Sequence, residues 1–182
     1  MESSSQRLAG KVIWVTGSSR GIGRAIATHL ASLGPTLVIH GTSPFSTHAF
    51  HEAESLQAVA EAISSEHGVK VFPVHGDLSD EGVVRANARK IREALGHIDT
   101  LVNCAGGDIG AQGTKGPMGG KPEQNDALFI SFEDMKSVID RNLMTCILVC
   151  REVAPEMMER RSGRIINIGS IAGLQGNSQS AI

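Results

Sequence analysis

The chain has no Tyr, so no phenol is available as a proton donor from these residues. One Trp and five Phe are its only aromatic residues. It has three cysteines, Cys104, Cys146 and Cys150, which form neither a CxxC pair nor an even set. That excludes a disulfide framework and predicts reduced, buried thiols in a cytoplasmic protein. No apolar run approaches the roughly 20 residues needed to span a bilayer, and "MESSSQRLAGK" lacks the apolar core of a secretory signal. Charge of one sign is also missing. The 17 basic and 19 acidic residues are mixed, for a net charge of −2, so neither a nucleic-acid surface nor a disordered acidic tail is expected.

What is present is alternation. Short apolar runs, "KVIWVT" (Lys11–Thr16), "TLVIH" (Thr36–His40), "KVFPVH" (Lys70–His75), "IDTLVN" (Ile98–Asn103) and "GRIINIG" (Gly163–Gly169), read as five strands. Pro73 weakens the third as a strand, because it removes a ladder donor and prefers an edge. Between the strands lie helical patterns. The first has Ile22, Ile26, Leu30 and Leu33 on one face. The second has Leu56, Val59, Ala60 and Ile63, and ends at Gly68. The third is capped by Asp80 and closed by Gly96. The fourth is capped by Ser131, with Asp134 in its first turn and Pro155 as a kink. This order predicts a doubly wound parallel α/β sheet with helices on both faces, one domain over residues 1–182. Residues 106–130 break the pattern and read as a long, mobile, Gly-rich insertion loop.

"TGSSRGIG" (Thr16–Gly23) links the first strand to the first helix. Glycines suit a tight turn whose backbone must touch a pyrophosphate, and the helix N-terminus beyond it favours anions. The spacing TGxxxGIG, together with Asp77, "NCAG" (Asn103–Gly106), Asn142 and Ser170 in that order, resembles the short-chain dehydrogenase/reductase family. The similarity runs from about Leu8 to Ile182 and is greatest to the 3-oxoacyl-carrier-protein reductase branch. The resemblance implies a Rossmann fold and an oxidoreductase moving hydride between a nicotinamide and a carbonyl or secondary alcohol. It implies cofactor contacts at Gly17, Ser19, Arg20, Gly21, Ile22 and Gly23, an adenine contact at Asp77 and Leu78, and a close cofactor approach at Asn103, Ala105 and Gly106. Cys104 replaces the second Asn of the family's NNAG segment.

A carboxylate at the end of the second strand would bind the ribose 2′-hydroxyl of NAD and repel a 2′-phosphate. The segment "IHGTSPFS" (Ile39–Ser46) has none there; it offers the hydroxyls of Thr42 and Ser43. Arg20 offers a fork-shaped cation. NADP(H) is therefore the expected cofactor, with a solvated loop charge as the plainer reading of Arg20.

The resemblance assigns Ser170 to orienting the carbonyl and Asn142, at a helix irregularity, to holding a water; an ordinary polar helix residue is the plainer reading of Asn142. The family's Tyr lies about thirteen residues after its Ser and its Lys four further on, which counted from Ser170 falls just past Ile182. Two expectations follow: a fragment of a working reductase, which is preferred, or a natural truncation that binds nucleotide or a partner without turnover. His40, His48, His51 and Glu52 have helix-like metal spacing only in part, and no metal is expected. Lys115 and Lys121 could attract an anionic substrate group or lie on a plain surface loop. Met135, Val138, Leu143, Ile147 and Met157 are expected either to pair the long helix with its copy in a homodimer or homotetramer, or to fill the monomer core. A small-molecule carbonyl or alcohol is the expected substrate.

Overall fold

The computed structural model describes residues 6–174. Its strands are β1 (Val12–Val15), β2 (Thr36–Gly41), β3 (Val71–His75), β4 (Thr100–Asn103) and β5 (Arg164–Asn167), and its helices α1 (Gly21–Ala31), α2 (Leu56–His67), α3 (Glu81–Leu95), α4 (Phe132–Ile139) and α5 (Thr145–Glu159). All strand pairs are parallel, in the order β3-β2-β1-β4-β5. β3 lies at one edge, as Pro73 requires. β5 lies at the other among the described residues.

Alternate strand residues point to opposite faces and build two cores. Ile13, Val15, Leu37, Ile39 and Val102 pack under α1 and α2; Val12, Trp14, Val38, Val74 and Leu101 pack under α3 and α5. Each fully buried aliphatic side chain contributes roughly 1.5–3 kcal/mol. The face α1 buries differs from the expected one. Gly23, Ala27 and Ala31 are buried, Ile26 and Leu30 lie at the margin, and Ile22 is 69% exposed. Small residues let the helix sit close to the sheet, so packing distance overrides the apolar count.

α2 buries the four predicted residues, its Ser55 side chain accepts from Ala58 N–H, and Gly68 closes it in the left-handed region. Asp80 accepts from Gly82 and Val83 N–H to start α3. Ser131 Oγ accepts from Asp134 N–H to start α4. Between α4 and α5 the helix widens into one π-turn, Asp140–Met144, which holds Asn142. Pro155 sits inside α5 without ending it. Arg92 of α3 donates to Glu152 and Glu156 of α5, both at 2.7 Å, and clamps the two helices together. Val138 and Met157 are buried in the monomer, while Leu143 and Ile147 are exposed. The three thiols are free but half-buried, not buried as expected.

The 106–130 loop is long, as expected, but it is tied down. Gly110 N–H donates to Gly120 O at 2.9 Å, Asn125 Nδ2 donates to Asp108 Oδ2 at 2.5 Å, and Lys121 pairs with Asp108 at 3.7 Å. Asp134 Oδ1 accepts from Ala111 N–H and joins the loop to α4. Polar side chains do here what an apolar period does elsewhere. No helix of the described residues is long and apolar enough to cross a membrane.

Candidate functional site

The carboxyl ends of β1, β4 and β5 meet the glycine-rich turn, the loop after β4 and the π-turn. The turn is built against the β4 loop. Gly17 has φ +66, and a Cβ there would lie 2.7 Å from Ala105 Cα. Thr16 Oγ1 accepts from Cys104 and Ala105 N–H, both at 3.0 Å, so one buried hydroxyl fixes the spacing between the two loops. Ser18 Oγ donates to Val15 O at 2.6 Å and accepts from His40 N–H at 2.9 Å. His40 is buried at the end of β2. Its Nδ1 accepts from Gly17 N–H at 3.2 Å, so its Nε2 donates to Gly76 O at 2.9 Å. Burial pushes the imidazole down to about 4, which keeps it neutral in these roles.

The predicted cofactor residues divide into those facing the crevice and those behind it. Arg20 stands at the N-cap of α1 and gives no side-chain cap. Gly21 opens onto free space, and Ile22 is exposed. Gly23 packs against the Gly17 carbonyl. Ser19 is buried against Gly41, and its N–H donates to His40 O. Thr42 is exposed at the end of β2; Ser43 Oγ accepts from Phe45 N–H. Asp77 Oδ1 accepts from Ser79 N–H and Oγ, a local turn. Leu78 is buried, with its side chain in the core beneath the sheet. Asn103 is likewise turned inward. Its Nδ2 donates to Asn167 Oδ1 at 2.9 Å and meets Cys150 Sγ at 3.2 Å, tying β4 to β5 and α5. Burial raises the Cys104 thiol, which makes it an inert small side chain.

Asn142 locks the β4 loop to the π-turn. Its Oδ1 accepts from Gly107 N–H at 2.9 Å. Its Nδ2 donates to Gly107 O at 3.0 Å and to Val138 O at 2.8 Å. A Cβ on Gly106 would strike Asn142 Oδ1 at 2.5 Å, so Gly106 permits the contact. Ser170 follows β5, where Ile168 N–H continues the ladder to Asn103 O. It is exposed at the carboxyl edge, the side on which open α/β sheets bind ligands.

Sequence reasoning gave Thr16 and Ser18 no role and weighed His40 and Glu52 only for a metal. Glu52 lies on the segment after β2, yet its Oε2 accepts from Gly21 N–H at 3.1 Å. A histidine ending a buried strand was the one available signal. His48, His51 and Glu52 do not gather with His40, and no metal-binding cluster exists among the described residues.

The 3-2-1-4-5 parallel sheet and the glycine turn opening a helix define a Rossmann-type α/β domain. The family model for short chain dehydrogenase matches residues 11–182, and the chain belongs to that family. It is 38% identical over 173 residues to a 3-oxoacyl-[acyl-carrier-protein] reductase FabG of Aquifex aeolicus, covering 94% of this chain and 60% of that protein. To a cyclohexanol dehydrogenase of a Rhodococcus species it is 33% identical, covering 91% and 58%. A crystal structure of a metagenomic short-chain oxidoreductase in complex with NADP matches with TM-score 0.78 at 31% identity, covering 97% of this chain and 69% of that one. The chain thus spans about 60% of the length of the curated relatives it matches.

Proposed function

We propose that the protein is an NADP(H)-dependent oxidoreductase that moves hydride between a nicotinamide and the carbon of a carbonyl or secondary alcohol. The observation that carries this reading is the turn from Gly17 to Gly23, which closes on α1 with Arg20 at its N-cap and Gly21 opening onto free space. The residues present fit a dinucleotide. A Cβ on Gly17 would strike the backbone of Ala105, so the turn and the β4 loop approach closely without side chains between them at that point, and the first turn of α1 favours phosphate. When bound, the nicotinamide supplies the hydride. Arg20 and the hydroxyl of Thr42 would hold the 2′-phosphate, with the backbone of Asp77 and Leu78 beside the adenine.

Ser170 donates a hydrogen bond to the substrate oxygen as negative charge builds there. Asn142 holds the β4 loop and the π-turn in register, and through them the floor of the crevice. Ser170 is assigned to orientation and not to proton delivery.

The relatives' names, an acyl-thioester ketone reductase and a cyclic alcohol dehydrogenase, support a small carbonyl or alcohol substrate and leave its identity to assay. Exposed Leu143 and Ile147 support a homodimer or homotetramer built through the α4–α5 helix. The test is titration with NADPH and NADH, then turnover with 3-oxoacyl thioesters and cyclic ketones. Arg20→Ala is expected to weaken NADPH about tenfold or more and NADH far less. Equal losses would overturn the NADP(H) assignment.

A further inference from the structure

Residues 42–55 join β2 to α2 in fourteen residues, where connections of about two to six are usual. The segment is a folded strap. Leu56 N–H donates to Pro44 O at 2.8 Å and closes its base. Thr47 is buried, and its carbonyl accepts from Glu52 N–H at 3.2 Å. His51, at φ +54, turns the chain so that Glu52 faces α1. Glu52 then bonds α1 twice: its Oε2 accepts from Gly21 N–H, and its carbonyl oxygen accepts from Arg24 Nη1, both at 3.1 Å. Its charge also reaches the neighbouring Arg20. Burial pulls that guanidinium below its ordinary value, Glu52 draws it back up, and Arg141 pushes it down again.

A Cβ on Gly41 would lie 2.2 Å from Ser46 Oγ of the strap and 3.1 Å from Ser19 Cβ, so a side chain there would require Ser46 to turn away. A carboxylate reaches the neighbourhood by another route, from a residue eleven positions further along.

We propose that Glu52 is a specificity-determining residue of the cofactor site, a carboxylate held at the Gly21 N–H that competes with the 2′-phosphate of NADP(H) for Arg20. This rests on the reading that the turn holds a nicotinamide dinucleotide. NAD(H) carries a hydroxyl where NADP(H) carries a phosphate of about two negative charges. The pyrophosphate is common to both. The repulsion from Glu52 therefore falls mainly on NADP(H) and narrows the preference that Arg20 creates.

Glu52→Gln keeps the size of the side chain and an acceptor for Gly21 N–H but removes the charge. Fluorescence titration of the wild-type protein and this variant with NADPH and NADH tests the assignment. The variant is expected to bind NADPH roughly three- to tenfold more tightly at low salt, with NADH changed less than about twofold. The gain is expected to shrink near 1 M salt, where screening acts over about 3 Å. An unchanged or weakened NADPH affinity in a protein that binds the nucleotides overturns the role of Glu52 alone. A wild-type protein that binds neither nucleotide overturns the dinucleotide reading and this inference with it.

Discussion

His40 joins three chain segments at one imidazole. It accepts from Gly17 in the turn after β1, ends β2, and donates to Gly76 after β3. These bonds require the neutral ring. His75 opposes its protonation and Asp77 favours it, but burial outweighs both. The folded-state value of about 4 lies below the ordinary 6.5, so the unfolded chain binds more protons between them. The contribution is therefore complete above about pH 6.5 and is lost as pH falls toward 4, by about 3 kcal/mol in all. Urea melts of the wild-type protein and His40→Asn at pH 7 and pH 4.5 check this: the variant is expected to lose less stability over that interval, and equal losses would clear His40 of the effect. Such a residue is hard to see in a sequence. "VIH" shows a histidine finishing an apolar strand, but its partners lie 23 and 36 residues away. Thr16 is similar, since its two acceptor bonds run to residues 88 and 89 positions later. The glycines of the same turn were legible because a tight strand-to-helix turn makes a local demand, and local demands are written locally.

At the scale of elements, the π-turn between α4 and α5 and the loop after β4 act as one unit. Asn142 is the joint, with three hydrogen bonds to backbone. Because Asn142 is exposed, Asn142→Ala is expected to cost only about 1–2 kcal/mol globally. Locally, the Gly107 N–H should exchange with solvent at least tenfold faster. Hydrogen-exchange measurements resolve the two, and unchanged exchange at Gly107 would show that the loop is held by other means. The irregularity at Asn142 was an expectation of the family resemblance; its hydrogen-bond partners were not. The caps at Asp80 and Ser131 were legible, because each bonds within three residues of itself; the Ser55 cap has the same local character but was not read. The buried face of α1 was not. Apolar spacing pointed to Ile22, but contact with a flat sheet selected Gly23, Ala27 and Ala31. The 106–130 loop misled for a related reason: its anchors, Asp108, Asn125 and Asp134, are polar and carry no period.

For the whole molecule, the parallel sheet with helices on both faces followed from alternation while the strand order β3-β2-β1-β4-β5 did not, and the weak point of the fold is its fifth strand. Ile165, Ile166 and Ile168 are 37%, 48% and 43% exposed, and no described strand lies beyond them. An apolar strand edge in water templates pairing with another chain. The 182-residue chain is therefore expected to self-associate as concentration rises, and Ile166→Lys to reduce this, as read by light scattering. Concentration-independent scattering of the unaltered chain would contradict it. The opposite margin behaves differently. β3 ends the sheet with Pro73, which has no N–H to offer a newcomer. Strand addition thus has a direction. A second copy joined at β5 about a two-fold axis leaves two β3 margins facing outward, each lacking a donor at Pro73. Association through this sheet is therefore expected to be weaker at β3 than at β5, which favours a pair over a longer stack.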